Sequence, residues 1–182
     1  MKMKRILTAL LAGPLMWAFA AQAGTTTFQG VSVDYGSAST NWVDGDLVLT
    51  YNSSSSLAIS DGVVKADILA VGGGGAGGTG KNSTSSARYG NGGDGGEVKE
   101  ETRMIQAGTL TINVGVGGTV TTSSNANGGK GSDTTIESAG SLFAAITAKG
   151  GAGGAGNNSS STAKAGSPTQ GVTSEIDGKT YG

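Results

Sequence analysis

The chain has no cysteine and no histidine, and aromatic and charged residues are scarce. Of 182 residues, 5% are aromatic, 14% are charged and 2 are proline. Without cysteine there is no disulfide and no thiol nucleophile, and without histidine there is no Ser-His-Asp triad and no histidine zinc site. The formal net charge is −1 and no basic patch suited to nucleic acid is present. We therefore expect a protein that is not an enzyme and that needs no cofactor or metal.

Residues 1–23 have the pattern of a secretory signal peptide. Three positive residues come first, and an apolar stretch from Ile6 to Ala20 follows. Ala21 and Ala23 supply the small-x-small cleavage pattern, so we expect the mature chain to begin at Gly24. Gly13-Pro14 interrupts the apolar stretch and argues against a stable membrane span. The protein is thus expected to be secreted or held at a cell surface, and bacterial because it uses no disulfides. The three positive residues are Lys2, Lys4 and Arg5.

Several segments alternate apolar and polar residues, which is typical of half-buried β-strands. The alternation is clearest at Leu110, Ile112, Val114 and Val116. Asp44-Gly45 predicts a tight turn ahead of another alternating segment. Residues 141–149 fit a strand better than a short helix. We therefore expect an all-β fold of short antiparallel strands, sandwich-like, with little or no α-helix after the signal peptide. The other alternating segments contain Val31, Val33 and Tyr35; Leu47, Leu49 and Tyr51; and Ile68 and Ala70.

The 35 glycines are concentrated in runs in which a non-glycine residue returns at every third position. Residues 91–97 and 149–155 show this clearly, and residues 74–79 repeat it. Three residues per turn is the period of the polyproline II helix, in which the backbone makes no internal hydrogen bonds. Each run would carry side chains on one edge and bare backbone on two others, where neighbouring runs could approach and bond.

The alternative is that the runs are flexible linkers, because glycine loses more backbone entropy on ordering than any other residue. We favour stacked polyglycine II helices for two reasons. The runs alternate with strands, and the non-glycine residues that interrupt a run keep their spacing of three. Ser- and Asn-rich stretches between the runs are expected to be surface loops. The glycines assigned to the stacked helices are Gly72, Gly73, Gly74, Gly75, Gly77, Gly78, Gly92, Gly93, Gly95, Gly96, Gly150, Gly151, Gly153 and Gly154.

Four motifs suggest other chemistry but lack parts that it needs. Gly75 to Lys81 matches a phosphate-binding loop, yet Asn82 stands where a magnesium-binding hydroxyl is required and no helix is predicted to follow. The dinucleotide pattern at residues 73–78 is expected by chance in so glycine-rich a run. Asp94 resembles one turn of a calcium-binding repeat but stands alone. Two pairs of acidic residues, Asp44 with Asp46 and Glu100 with Glu101, are better explained as solvated charges than as catalytic carboxylates.

From residue 66 onward the order of motifs resembles a glycine-rich domain family of bacterial surface proteins and phage tail or adhesin proteins. An apolar strand, Asp67-Ile-Leu-Ala-Val71, enters a glycine run. A second run enters the charged strand Glu97–Arg103, and Gly108-Thr-Leu-Thr-Ile-Asn-Val-Gly-Val-Gly-Gly118 follows. A third run and the closing segment Ser174-Glu-Ile-Asp-Gly-Lys-Thr-Tyr-Gly182 complete the series. The resemblance implies a β domain with packed polyglycine helices and brings no catalytic residues.

The resemblance also implies a further glycine run after Gly182, so we interpret the chain as a truncated gene product or a fragment of a longer surface protein. We divide it into a signal peptide (1–23), a β lead-in segment (24–65) and a glycine-rich domain (66–182). The expected role is a structural module for surface display, a matrix or a fibre.

An alternative role is adhesin-like recognition by the Ser/Asn-rich loops, with cell-surface glycans or other copies of the chain as partners. A more remote alternative is ice binding by Thr121-Thr122 and an edge formed by Ala152 and Ala155. The candidate recognition residues are Arg88, Tyr89, Asn82, Asn157 and Asn158.

Overall fold

The fold is known from a computed structural model, which describes residues 6–10, 24–81, 88–139, 143–156, 165–166, 172–176 and 178–181. Within these residues all regular secondary structure is β, which confirms the expected fold class. The strands are β1 (Ile6–Leu10), β2 (Thr25–Phe28), β3 (Val31–Asp34), β4 (Ser39–Val43), β5 (Asp46–Tyr51), β6 (Ser55–Val71), β7 (Val98–Asn113), β8 (Thr134–Ser138), β9 (Ile146–Ala148), β10 (Val172–Thr173) and β11 (Thr180–Tyr181).

Nine of the described strands form one sheet in the order β4-β5-β1-β6-β7-β8-β9, and the β2–β3 hairpin joins it through β3 and β6. Pairing is antiparallel except at β1, which is parallel to both β5 and β6. Strands β10 and β11 form a separate antiparallel pair. Strand β1 lies inside the predicted signal peptide, and cleavage after Ala23 stays a prediction.

Two tight turns set the register of the amino-terminal hairpins. Gln29 and Gly30 connect β2 to β3, and Asp44 and Gly45 connect β4 to β5. All four residues have positive φ, as the two-residue turn that matches the twist of paired strands requires. The turn predicted at Asp44-Gly45 is confirmed.

Strands β6 and β7 are 17 and 16 residues long, so the expectation of short strands is wrong for this central pair. Their pairing shifts between Ile59 and Val63, and the left-handed Gly62 lies in that bulge. The bulge bends the long ribbon without ending it. Val114 and Val116 were expected to extend β7, but β7 ends at Asn113 and Val116 is 67% exposed.

The core lies against the alternating apolar faces of these strands. Leu47, Leu49 and Tyr51 of β5 are fully buried, as their spacing predicted, and so is Ala70 of β6. Residues 141–149 contribute the short strand β9, with Ile146 and Ala148 buried. The boundary that we drew at residue 65 falls inside β6. In the described part of the chain there is no helix of the length and apolarity needed to cross a membrane.

Candidate functional site: the glycine-run bundle

Five segments without sheet pairing extend from the ends of the strands and pack on one another. We name them run A (residues 72–80), run B (91–97), run C (115–119), run D (126–132) and run E (149–156). Run A continues directly from β6, and run B leads into β7. The sheet therefore fixes where the runs begin and how they lie side by side.

Runs A, B and E are joined by backbone hydrogen bonds at every third residue. The N–H groups of Gly72, Gly75 and Gly78 donate to the carbonyls of run B at 2.8 Å. Run B in turn donates to run E with the same spacing. The bonds from A to B end on Glu97, Asp94 and Asn91; those from B to E join Asn91 to Ala155, Asp94 to Ala152 and Glu97 to Lys149.

Successive residues of run A bond in different directions. Gly72 donates to run B, Gly73 donates to Ser132 of run D, and the carbonyl of Gly74 accepts from Gly118 of run C. The direction to run D is repeated on the next two turns, because Ala76 donates to Gly129 and Thr79 to Ala126. Run E closes the ring by donating to Gly73 and Ala76. Run A is thus the central member, and its bonds follow the period of three that the sequence predicted.

Glycine is required where two runs touch. A β-carbon built on most of the predicted glycines would lie under 3.0 Å from backbone atoms of a neighbouring segment. Run A also has an open edge, because a β-carbon on Gly74 would be 3.9 Å from the nearest atom and one on Gly77 would be 3.5 Å away. The glycines with the close approach are Gly72, Gly73, Gly75, Gly78, Gly92, Gly93, Gly96, Gly150, Gly151, Gly153 and Gly154.

Thr134 joins the bundle to the sheet. Its side chain is fully buried, its hydroxyl donates to the carbonyl of Val71 at 2.7 Å, and it accepts from the N–H of Gly115 at 2.8 Å. Val71 is the last residue of β6, and Gly115 begins run C. One hydroxyl therefore satisfies a buried carbonyl and a buried amide where strand geometry changes to run geometry.

The bundle also explains why the phosphate-loop motif is not one. A phosphate loop binds its ligand with free backbone N–H groups. In the segment from Gly75 to Lys81, the N–H groups of Gly75, Ala76, Gly78 and Thr79 all donate to carbonyls of neighbouring runs. These donors are already used by the fold.

The candidate recognition residues lie at the far end of run A, as far as the structure describes them. Lys81 and Arg88 form an isolated antiparallel bridge, with the N–H of Arg88 donating to the carbonyl of Lys81 at 3.1 Å. Tyr89 is 51% exposed beside them. Asn82, Asn157 and Asn158 lie outside the described residues.

The two pairs of acidic residues that we treated as separate lie in one cleft of about 690 Å³. Asp67, which was not among the predicted site residues, is 7% exposed there and accepts a hydrogen bond from the Thr102 hydroxyl at 2.6 Å. Glu101 forms an ion pair with Arg103. No group of three potential ligands suited to a metal ion is found among the described residues. The carboxylates that line the cleft are Asp44, Asp46, Asp67, Glu100, Glu101 and Glu175.

The alanine edge suggested for ice binding is present on run E, where Ala152 and Ala155 are exposed. Thr121 and Thr122 instead follow run C, whose backbone bonds join it to runs A and D. The two features therefore belong to different parts of the bundle. They do not form one bonded surface among the described residues.

Comparison with known protein families identifies the class. The family model described as a glycine-rich domain matches residues 50–182. The chain therefore belongs to this glycine-rich domain family. The match includes residues 50–65, which we placed in the lead-in segment. No curated protein sequence matches the chain. No solved structure matches it either.

Proposed function

We propose that this chain is an exported, non-enzymatic structural module of the surface type, made rigid by a bundle of polyglycine II helices on a β-sheet. The glycine-rich surface proteins of bacteria and the tail or adhesin proteins of phage are the class in which we place it. Its work would be mechanical, as a spacer or packing unit in a surface layer, matrix or fibre.

The hydrogen bonds of Gly72, Gly73 and Gly74 to three different neighbours carry this proposal. A polyproline II helix, with three residues per turn, makes no internal hydrogen bonds, so a lone run would be disordered in water. A central run bonded on several sides can hold, because its amides and carbonyls are used. Such a module needs neither disulfide nor metal, which suits an exported chain without cysteine or histidine.

Hydrogen–deuterium exchange on the folded full-length protein tests this proposal. We expect the bonded amides of runs A, B and E to exchange about as slowly as those of β6 and β7, since both would open only with the fold. Exchange of these runs at the rate of an unstructured peptide would contradict the bundle. Export is tested separately, by sequencing the amino terminus of protein recovered outside the cytoplasm, which should begin at Gly24.

Recognition is a second candidate function, and the exposed Tyr89 beside the Lys81–Arg88 bridge favours it. The bridge joins Lys81, directly after run A, to Arg88, and about half of the neighbouring tyrosine remains available to a ligand. Aromatic and arginine side chains on such a support are common anchors of binding. Glycans or other copies of the chain are the expected partners.

The variant Tyr89→Ala separates the two functions. A recognition module would lose at least tenfold in binding to a glycan array or to cells, while its thermal midpoint stayed unchanged. Tyr89→Phe is the matched control, because it keeps the ring and should retain most of the binding. A structural module without a ligand would show no saturable binding before or after the change.

A further inference from the structure

Strand β1 lies inside the sheet and is parallel to both of its neighbours. Ile6 is level with Leu47 of β5 and with Ala66 of β6, and the same register continues along the strand. Adjacent strands are about 4.8 Å apart, so β5 and β6 lie roughly 10 Å apart with one strand between them. The gap has room for a single extended segment.

The strands on both sides of this gap are buried and mostly apolar. In each of them the buried residues on the core face recur at every second position, which sets the pattern that a strand in the gap must match. Ile6 and Leu10 occupy positions level with Leu47 and Tyr51. The buried residues on the core face are Leu47, Leu49 and Tyr51 of β5 and Ala66, Ile68 and Ala70 of β6; on the other face of β6, Asp67, Leu69 and Val71 are buried as well.

The acidic cleft adds a charge preference at one end of the gap. Asp46 comes directly before Leu47 and Asp44 lies two residues earlier, and both line the cleft with Asp67 of β6. A peptide that bound parallel to β5 with basic residues ahead of its first apolar residue would bring them near these carboxylates. In the sequence, Lys4 and Arg5 stand directly before Ile6.

We propose that the gap between β5 and β6 is a strand-accepting site. Residues 6–10 fill it in the uncleaved chain, and a parallel strand from another polypeptide fills it after the leader is removed. That strand would carry the same pattern, with apolar residues at its first and fifth positions and basic residues ahead of them. In such strand addition, main-chain hydrogen bonds give affinity and alternate side chains give specificity. Binding of a strand from another polypeptide rests on the proposed export, whereas occupancy of the gap by residues 6–10 does not.

Engineered cysteines test occupancy of the gap in the full chain, which has no cysteine of its own. Ala9 and Thr50 are register partners, and directly opposed residues in neighbouring strands lie within the Cα separation that a disulfide spans. We expect Ala9→Cys with Thr50→Cys to cross-link under mild oxidation. The offset control, Ala9→Cys with Val48→Cys, should cross-link at least tenfold more slowly. Equal rates in the two variants would overturn the register.

A cut in the folded chain tests whether the site accepts a strand in trans. A specific protease site is placed between Ala23 and Gly24 of the purified full chain, which is cleaved after folding. We expect the released segment to stay bound until a synthetic peptide of residues 4–12 displaces it. The same peptide with Ile6→Asp and Leu10→Asp should bind at least tenfold more weakly.

Hydrogen exchange after the cut decides between an open site and a closed one. If the segment leaves and residues 47–51 and 66–69 then lose protection until the peptide is added, the site accepts strands. If it leaves and both strands stay protected without peptide binding, β5 and β6 have closed on each other and the proposal is wrong. Cross-linking in the full chain is independent of export, so failed export would contradict the proposed function alone.

Discussion

A β-carbon on Gly75 would lie under 3.0 Å from the carbonyl oxygen of Ala152, so run A and run E touch through bare backbone. One residue earlier, a β-carbon on Gly74 would meet nothing closer than 3.9 Å. Of these two adjacent glycines, Gly75 has no room for a side chain and Gly74 does. The difference follows from the period of three, which turns Gly75 toward a neighbour and Gly74 toward the open edge.

We expect Gly75→Ala to lower the free energy of unfolding by about 3 kcal/mol or to prevent folding, because the methyl group must push two runs apart. Gly74→Ala is the matched control. It should change stability by less than about 1 kcal/mol, and in the stabilising direction, since alanine restricts the unfolded chain more than glycine does. Urea unfolding of both variants makes the comparison. Equal destabilisation by the two changes would contradict the assignment of Gly75 to the contact with run E and of Gly74 to the open edge.

A second prediction concerns the junction at Thr134. Thr134→Val keeps the shape of the side chain but leaves the carbonyl of Val71 and the N–H of Gly115 without their bonds to the hydroxyl. Each buried group that loses its partner costs about 1–3 kcal/mol, so we expect a loss of roughly 3 kcal/mol.

Thr134→Ser is the matched control, because it keeps the hydroxyl and removes only a methyl group. We expect it to cost about 1 kcal/mol. Chemical unfolding with exchange at the amide of Gly115 measures both variants. If serine proved as harmful as valine, packing of the methyl group would be the cause and the proposed bridge would be wrong.

Acid should weaken the hydrogen bond between Asp133, directly after run D, and Gly150 of run E. The N–H of Gly150 donates to its carboxylate at 2.8 Å and Lys130 lies 3.6 Å away, and together they lower the pKa of Asp133. A lowered pKa contributes stability that is present above the ordinary value of 3.8 and is lost as the pH falls through the folded-state value.

The variant Asp133→Asn should therefore show a shallower loss of stability on acidification below about pH 4 than the natural chain. Urea midpoints measured from pH 2 to pH 7 provide the test. Because the carboxyl group is exposed, the difference should shrink at high salt. Identical pH profiles for the two proteins would mean that Asp133 is not coupled to folding.

The sequence predicted the parts of this molecule that follow from local pattern. Alternation located β3 and β5, Asp44-Gly45 located a turn, and the period of three located runs A, B and E. It did not predict the length of β6, because Gly62 looks like a break when the bulge that accommodates it is unknown. It could not identify Gly74 as the open position, because all glycines of a run look alike until their neighbours are placed.

The acidic cleft was beyond sequence reasoning for a different reason. Asp46, Asp67 and Glu100 lie on three strands, and only long-range pairing brings them together. From the sequence, Asp46 and Glu100 were interpreted as solvated charges, each paired only with a neighbour in sequence, and Asp67 was interpreted only as part of an apolar strand. Likewise, the mostly apolar residues 6–10 could not be distinguished as a strand from the apolar stretch of a leader, since both need the same residue types.

The last prediction concerns alkaline pH and Tyr51. This side chain is fully buried, and its hydroxyl has no hydrogen-bond partner among the residues that the structure describes. Burial, with a smaller contribution from the negative charge of Asp34, raises its pKa. A raised pKa contributes stability that is fully present below the ordinary value of 10.0 and is lost as the pH rises toward the folded-state value. From this group the natural chain should therefore lose about 1.4 kcal/mol for each pH unit by which the pH exceeds 10.0, until the folded-state value is reached.

Tyr51→Phe has no hydroxyl to ionise, so its stability should fall less steeply between pH 10 and pH 12. It should be at least as stable at pH 7, because an unpaired buried hydroxyl is removed. Thermal unfolding of both proteins across this range makes the comparison, and a variant that lost stability as steeply as the natural chain would show that the Tyr51 hydroxyl reaches water.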